Sequence, residues 1–111
     1  MKLPDPPYYA VIFGSQRTDA DADGYAAAAA RMVELAEQQP GYLGAISTRG
    51  PDGYGITVSW WRSEADIARW KADAEHTAAR EAGRANWYRD YTLQVAKVER
   101  AYEWSQPHDT P

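Results

Sequence analysis

His76, in Ala72-Asp-Ala-Glu-His-Thr-Ala-Ala-Arg80, is the residue best suited to move a proton near neutral pH, because an unperturbed imidazole titrates there. The other histidine, His108, lies in a proline-containing C-terminal stretch and is the weaker candidate. Asp73 and Glu75 sit close to His76 in the chain. Two carboxylates beside one imidazole do not make a convergent ligand set for zinc or iron, so no metal is expected. A helix-surface or packing role for His76 stays open beside proton transfer.

Rings crowd the same half of the chain: Trp60, Trp61, Trp70, Trp87, Tyr88 and Tyr91. Rigid apolar surface with few polar tips builds either an aromatic core or the wall of a pocket for a flat organic molecule. Trp70 serves both readings, filling the core with one edge and meeting a ligand with the other. Trp60, Trp61, Trp87 and Tyr88 are the further candidates for substrate contact. Arg80 shares a helix face with His76 if the helix is continuous. It reads as a contact for an anionic group or as a solvated charge paired with a nearby glutamate. Asn86 would cap a helix or orient a ligand carbonyl. Tyr25, Tyr42, Tyr88 and Tyr91 would offer hydroxyl donors to a phenolic or quinone oxygen if their rings line a cleft.

Other chemistries lack their residues. With no cysteine among 111 residues, thiolate metal sites and cysteine nucleophiles are excluded. No glycine-rich segment opens a helix to cradle phosphate, and no serine stands in a nucleophile motif. A formal charge of -4 gives no general attraction to nucleic acid or anionic lipid. No long apolar run follows Met1-Lys-Leu-Pro-Asp-Pro-Pro7, so no membrane association and a cytoplasmic location are expected.

These side chains need a scaffold, and its elements are readable. Pro4, Pro6 and Pro7 predict an extended arm over about residues 1–7. Tyr8 to Gly14 reads as a strand, and Asp21 or Asp23 caps a helix whose apolar stripe includes Tyr25, Ala29, Met32 and Leu35. Gln39-Pro40-Gly41 stops that helix before a strand from Tyr42 to Thr48. Gly50-Pro51-Asp52-Gly53 turns the chain into a strand from Tyr54 to Trp61. Ser63 and Asp66 form a capping-box pattern ahead of a second helix carrying Ile67 and Trp70, either one kinked helix or two. From Tyr91 the chain is strand-like again as far as Trp104. Leu93 and Val95 fall in one phase and Ala96, Val98 and Tyr102 in the other, which predicts a bulge or a face buried by another subunit.

The order strand, helix, strand, strand, helix, strand is the α+β, ferredoxin-like βαββαβ pattern on an antiparallel sheet, expected as a single domain over residues 1–111 with a tail over about 105–111. Helices cover only one face of such a sheet. The other face would hold some of Tyr8, Ala10, Ile12, Ile46, Val58 and Trp60, which a second copy would bury, so a homodimer is expected.

Val58-Ser-Trp-Trp-Arg-Ser-Glu-Ala-Asp-Ile-Ala-Arg-Trp70, followed by Glu75-His-Thr-Ala-Ala-Arg80, resembles the antibiotic biosynthesis monooxygenase domain family over almost the whole chain. The resemblance implies a ferredoxin-like fold whose sheets pair into a dimeric α+β barrel, with a ligand cavity between helices and sheet. It also implies oxygenation of an aromatic or polyketide-like small molecule by molecular oxygen without flavin, metal or other cofactor. Related haem-degrading members use an asparagine on the first strand, a tryptophan on the second helix and a later histidine on that helix. Trp70 matches the tryptophan, but the histidine position falls on Arg80 and the first strand has no asparagine. The alternatives are a non-catalytic or stress-related dimer that binds a small hydrophobic molecule, and a subunit that supports a protein complex.

Overall fold

The computed structural model describes residues 2–107; His108 and the end of the expected tail lie outside the described residues. The chain forms β1 (Tyr8–Arg17), α1 (Ala22–Glu37), β2 (Tyr42–Arg49), β3 (Tyr54–Trp61), α2 (Glu64–Ala72), α3 (Ala74–Ala82), a π-helical turn (Gly83–Trp87) and β4 (Tyr88–Val98). The strands make one antiparallel sheet in the order β2-β3-β1-β4, the expected ferredoxin-like arrangement.

Local chemistry sets the boundaries. Asp21 caps α1, its carboxylate accepting from the Gly24 amide at 3.1 Å. A Cβ at Gly24 would collide with that carboxylate, so the glycine makes the cap possible. In the β2–β3 turn Gly50 donates to the Tyr54 carbonyl at 2.8 Å, while Gly53 takes a φ of 88° that favours glycine. Ser63 caps α2 by accepting from the Asp66 amide at 3.1 Å. Asp66 reaches the Ser63 hydroxyl at 2.8 Å, in place of the backbone amide that the capping-box pattern predicts.

Of the two readings of the second helical segment, two helices is the observed one. Asp73, at ψ 132°, ends α2 and caps α3, its carboxylate accepting from the His76 amide at 3.0 Å. One residue therefore both breaks the helix and fixes where His76 starts.

Cross-strand register separates the two faces. Tyr9, Val11, Phe13, Ser15 and Arg17 face the helices, together with Trp61 opposite Tyr9 and Leu93 opposite Phe13. Ala10, Ile12, Ile46, Val58 and Trp60 share the helix-free face with Tyr8, as the alternation predicts, and Tyr54 and Ile56 join them. Leu93 and Val95 alternate regularly with Ala96 and Val98, so the expected break in phase there does not occur. The irregularity lies at the start of β4, where pairing shifts between Gln16 and Arg17. The strand stops at Val98, short of Tyr102 and Trp104, whose side chains stand in solvent.

The core is small: Trp61, Tyr8, Ala10 and Trp87 are its buried apolar side chains, and Ser15 is buried with them. No residue of α1 or α2 is fully buried. Among the described residues no helix is long and apolar enough to cross a membrane.

Candidate active site

Three sequence candidates meet at the Tyr9–Trp61 end of the sheet. Trp61 is completely buried on the helix side, and its indole donates to the Ser59 hydroxyl at 2.9 Å. Trp70, brought over it by α2, lies near-parallel at 6.2 Å between ring centroids and 24° between planes. His76 then stacks on Trp70 at 4.2 Å and 11°. Tyr42 closes the far side of Trp61 with an edge-on contact at 5.5 Å. Burial and the negative charge of Glu37 raise the Tyr42 hydroxyl above the ordinary phenol range, so it stays a protonated donor.

The His76 Nδ1 lies 3.0 Å from the Trp70 carbonyl. A carbonyl only accepts, so Nδ1 carries the proton and Nε2 presents its lone pair. Burial pushes the imidazole below its ordinary pKa; Arg80 adds to that, while the Trp70 carbonyl and Asp73 oppose it. The resulting group is a neutral imidazole, fixed in one tautomer and stacked on an indole, which is the state a general base requires.

Arg80 stands one helical turn beyond His76. Its Nη2 donates to the Lys71 carbonyl at 3.1 Å and to the Thr77 hydroxyl at 3.3 Å, so a cation sits at the C-terminal end of α2. Its Nε is buried without a hydrogen-bond partner among the described residues. Leaving such a donor unpaired costs on the order of 1–3 kcal/mol.

The other candidates are elsewhere. Trp60 lies on the helix-free face, because neighbours on a strand point to opposite sides and Trp61 takes the helix side. Trp87 and Tyr88 sit at the opposite end of the sheet, beside Arg17 and about 25 Å along β1 from Tyr9. Asn86 is exposed there, and its carbonyl accepts from the Thr18 hydroxyl at 2.7 Å. The enclosure of one ligand by Trp70 and Trp87 together is therefore not assembled within the chain.

Trp87 and Tyr88 belong to a second cluster whose key members the sequence reading missed. Arg49 donates to the Ser15 carbonyl at 3.0 Å, the Ser15 hydroxyl at 3.0 Å, the Gly53 carbonyl at 2.6 Å and the Tyr25 hydroxyl at 3.1 Å. Arg17 lies over the Tyr25 ring at 4.0 Å and donates to the Trp87 carbonyl at 2.8 Å. Burial, then the neighbouring Tyr25, push the Tyr88 hydroxyl well above the ordinary phenol range. The available signal was strand parity: Ser15 and Arg17 share the phase of Phe13.

Among the described residues no group of three or more His, Cys, Asp or Glu is placed to hold a metal ion. The antibiotic biosynthesis monooxygenase family model matches residues 8–82, from the start of β1 to the end of α3. The chain belongs to that family. This family member is 54% identical over 99 residues to the uncharacterized protein YqjZ of Bacillus subtilis, a match covering 89% of this chain and 86% of that protein. It is 29% identical over 92 residues to the jasmonate monooxygenase ABM of Pyricularia oryzae, across 81% of this chain but 43% of that protein. Among solved structures, a mutant form of SnoaB, a cofactor-independent oxygenase from Streptomyces nogalater, superposes with a TM-score of 0.72 at 16% identity. That match covers 85% of this chain and 95% of that one, a likeness of fold. The position that the haem-degrading resemblance assigns to an iron-binding histidine holds Arg80 in this family member. A guanidinium has no lone pair to give, so that donor set does not fit haem.

Proposed function

We propose that the chain is a cofactor-independent monooxygenase that oxidises a phenolic, anthrone-like or quinol small molecule bound beside Trp70 and His76, with the expected substrate contact of Trp61 ruled out by its burial. The observation that carries this reading is the His76 ring, held in one tautomer by the Trp70 carbonyl and stacked 4.2 Å from the indole, with Nε2 left as a base. Family membership and an oxygenase of the same fold support it.

In this mechanism His76 Nε2 removes an acidic proton from the substrate, and the aromatic wall keeps water from the resulting carbanion or phenolate. That electron-rich carbon gives its electrons to oxygen and forms a C–O bond, and the His76 imidazolium returns the proton to the peroxide anion, making a hydroperoxide. His76 then takes the second hydrogen of that carbon as the O–O bond breaks and passes it to the departing hydroxide, leaving C=O and water. A methylene and one O2 become one C=O and one H2O, so the substrate supplies every electron.

The same reading includes a homodimer through the helix-free sheet face, where Ile46 and Ile56 line a shallow apolar groove and remain 49% and 42% exposed in the single chain. Pairing two such faces would bury them. The test is oxygen uptake by chelator-treated, flavin-free protein given 1,8-dihydroxyanthrone, measured above the spontaneous rate. Protein-dependent uptake that His76→Ala removes is expected. An unchanged rate in that variant rejects the base, and no uptake above background on anthrone, quinol or phenol probes favours a ligand-binding protein.

A further inference from the structure

We infer that the substrate of this site carries a carboxylate, held by Arg80, about one ring's width from the acidic hydrogen that His76 removes. The inference rests on the oxygenase reading for the second half of that sentence only; the carboxylate contact stands or falls by itself.

Arg17, Arg62 and Arg84, like Arg80, bond without a carboxylate, so what sets Arg80 apart is a buried, unpaired Nε. Arg31 and Arg69 have carboxylates at 3.0 Å, and Arg49 distributes its donors over four oxygens. Arg80 has no carboxylate partner among the described residues. Its two hydrogen bonds, to the Lys71 carbonyl and the Thr77 hydroxyl, both leave from Nη2. They anchor the guanidinium at the α2–α3 junction while Nε remains buried and unpaired. An anchored planar cation with an unused N–H is the arrangement that binds a carboxylate with little loss of side-chain freedom.

Its position defines the ligand. His76 and Arg80 are four apart on α3 and share one face, their Cβ atoms about 6 Å apart. Trp70 lies between His76 and the buried Trp61, so the aromatic surface beside the base is that of Trp70 and the imidazole itself. A molecule spanning both groups presents an ionised oxygen to Arg80 and an acidic O–H or C–H to His76 Nε2. An aromatic or enolisable acid, with its carboxylate beside the reacting position, has that spacing. A neutral phenol or anthrone of the same outline leaves the Arg80 donor unmatched.

The experiment is isothermal titration calorimetry with 1-hydroxy-2-naphthoate and its methyl ester, which share a ring and a hydroxyl and differ in charge. Wild-type protein is expected to bind the acid roughly tenfold or more tightly than the ester. Arg80→Gln should erase that preference and leave ester affinity in place, whereas His76→Gln should keep the preference. Arg80→Lys, which retains the charge but not the planar fork, should retain part of it. Equal affinity of wild-type protein for acid and ester, no binding of either, or a preference that survives Arg80→Gln in a folded variant overturns the inference. The wild-type comparison decides even if the variants unfold. Acid preference without oxygen uptake on any probe leaves the carboxylate site standing and removes the oxygenase reading.

Discussion

Arg80 and Arg49 both reach between elements of this fold, yet they stand in opposite conditions. Arg49, at the Ser15 end of the sheet, gives its donors to four protein oxygens and draws β1, β2, the hairpin turn and α1 together. Arg80, at the Trp61 end, leaves Nε unmatched, and its neighbour His76 keeps Nε2 open. The tyrosines follow the same division. Tyr25 is locked between Arg17 and Trp87 with Tyr88 packed edge-on against it, whereas Tyr42 packs at the edge of an aromatic stack. A buried polar group with all its bonds made holds structure, and one with bonds left over is available to a ligand.

That contrast fails if the two ends respond alike to mutation. The largest expected effect is on the reaction: His76→Ala should lower kcat/KM for oxygen uptake by about 10²–10⁴-fold while leaving the melting temperature nearly unchanged. Next, Trp61→Ala should cost about 3–5 kcal/mol in denaturant unfolding, because the removed ring is completely buried beneath Trp70. Arg49→Ala should cost roughly 2–3 kcal/mol, since it strips partners from buried Ser15, with kcat per folded molecule preserved. If Arg49→Ala instead removes activity and His76→Ala removes stability, the assignment of the two ends is reversed.

Smaller effects sharpen the picture. Asp73→Ala removes the α3 cap at a cost of about 1 kcal/mol and loosens the registration of His76 on Trp70, so activity should fall further than stability. The pH profile tests the imidazole itself. Because burial holds the His76 pKa below its ordinary value, the active neutral form persists as pH falls past that value. The acid limb of kcat/KM should therefore lie below 6.5, the ordinary histidine value. A limb at or above it would mean that His76 gains a stabilised charge, the opposite sign.

Much of the fold was legible because it follows from local rules. A first-helix cap at Asp21 or Asp23, the Ser63 cap, the Gly50–Gly53 turn and the β3 span were read from residues that act on their immediate neighbours, and Asp21 is the cap observed. The apolar set of the helix-free face followed from alternation alone. The end of β4 was misread because Tyr102 and Trp104 have strand-forming side chains, while pairing with β1 runs out at Tyr8 opposite Val98. Propensity does not reveal where a partner strand ends.

The candidate site was legible in type and only partly in membership. The sequence by itself determined that one histidine, a set of indoles and an arginine four residues beyond that histidine were the groups with chemistry to offer, since residue type fixes proton affinity, ring surface and charge. It also determined that Trp60 and Trp61 must part, because adjacent strand residues point to opposite faces. Only the tertiary structure decided that Trp61 takes the helix side and that Trp87 and Tyr88 join Arg17 at the far end. It also decided that the break at Asp73 folds His76 onto Trp70. Those outcomes depend on register, on helix breaks and on which donors find partners, and such long-range contacts are fixed by packing the whole chain.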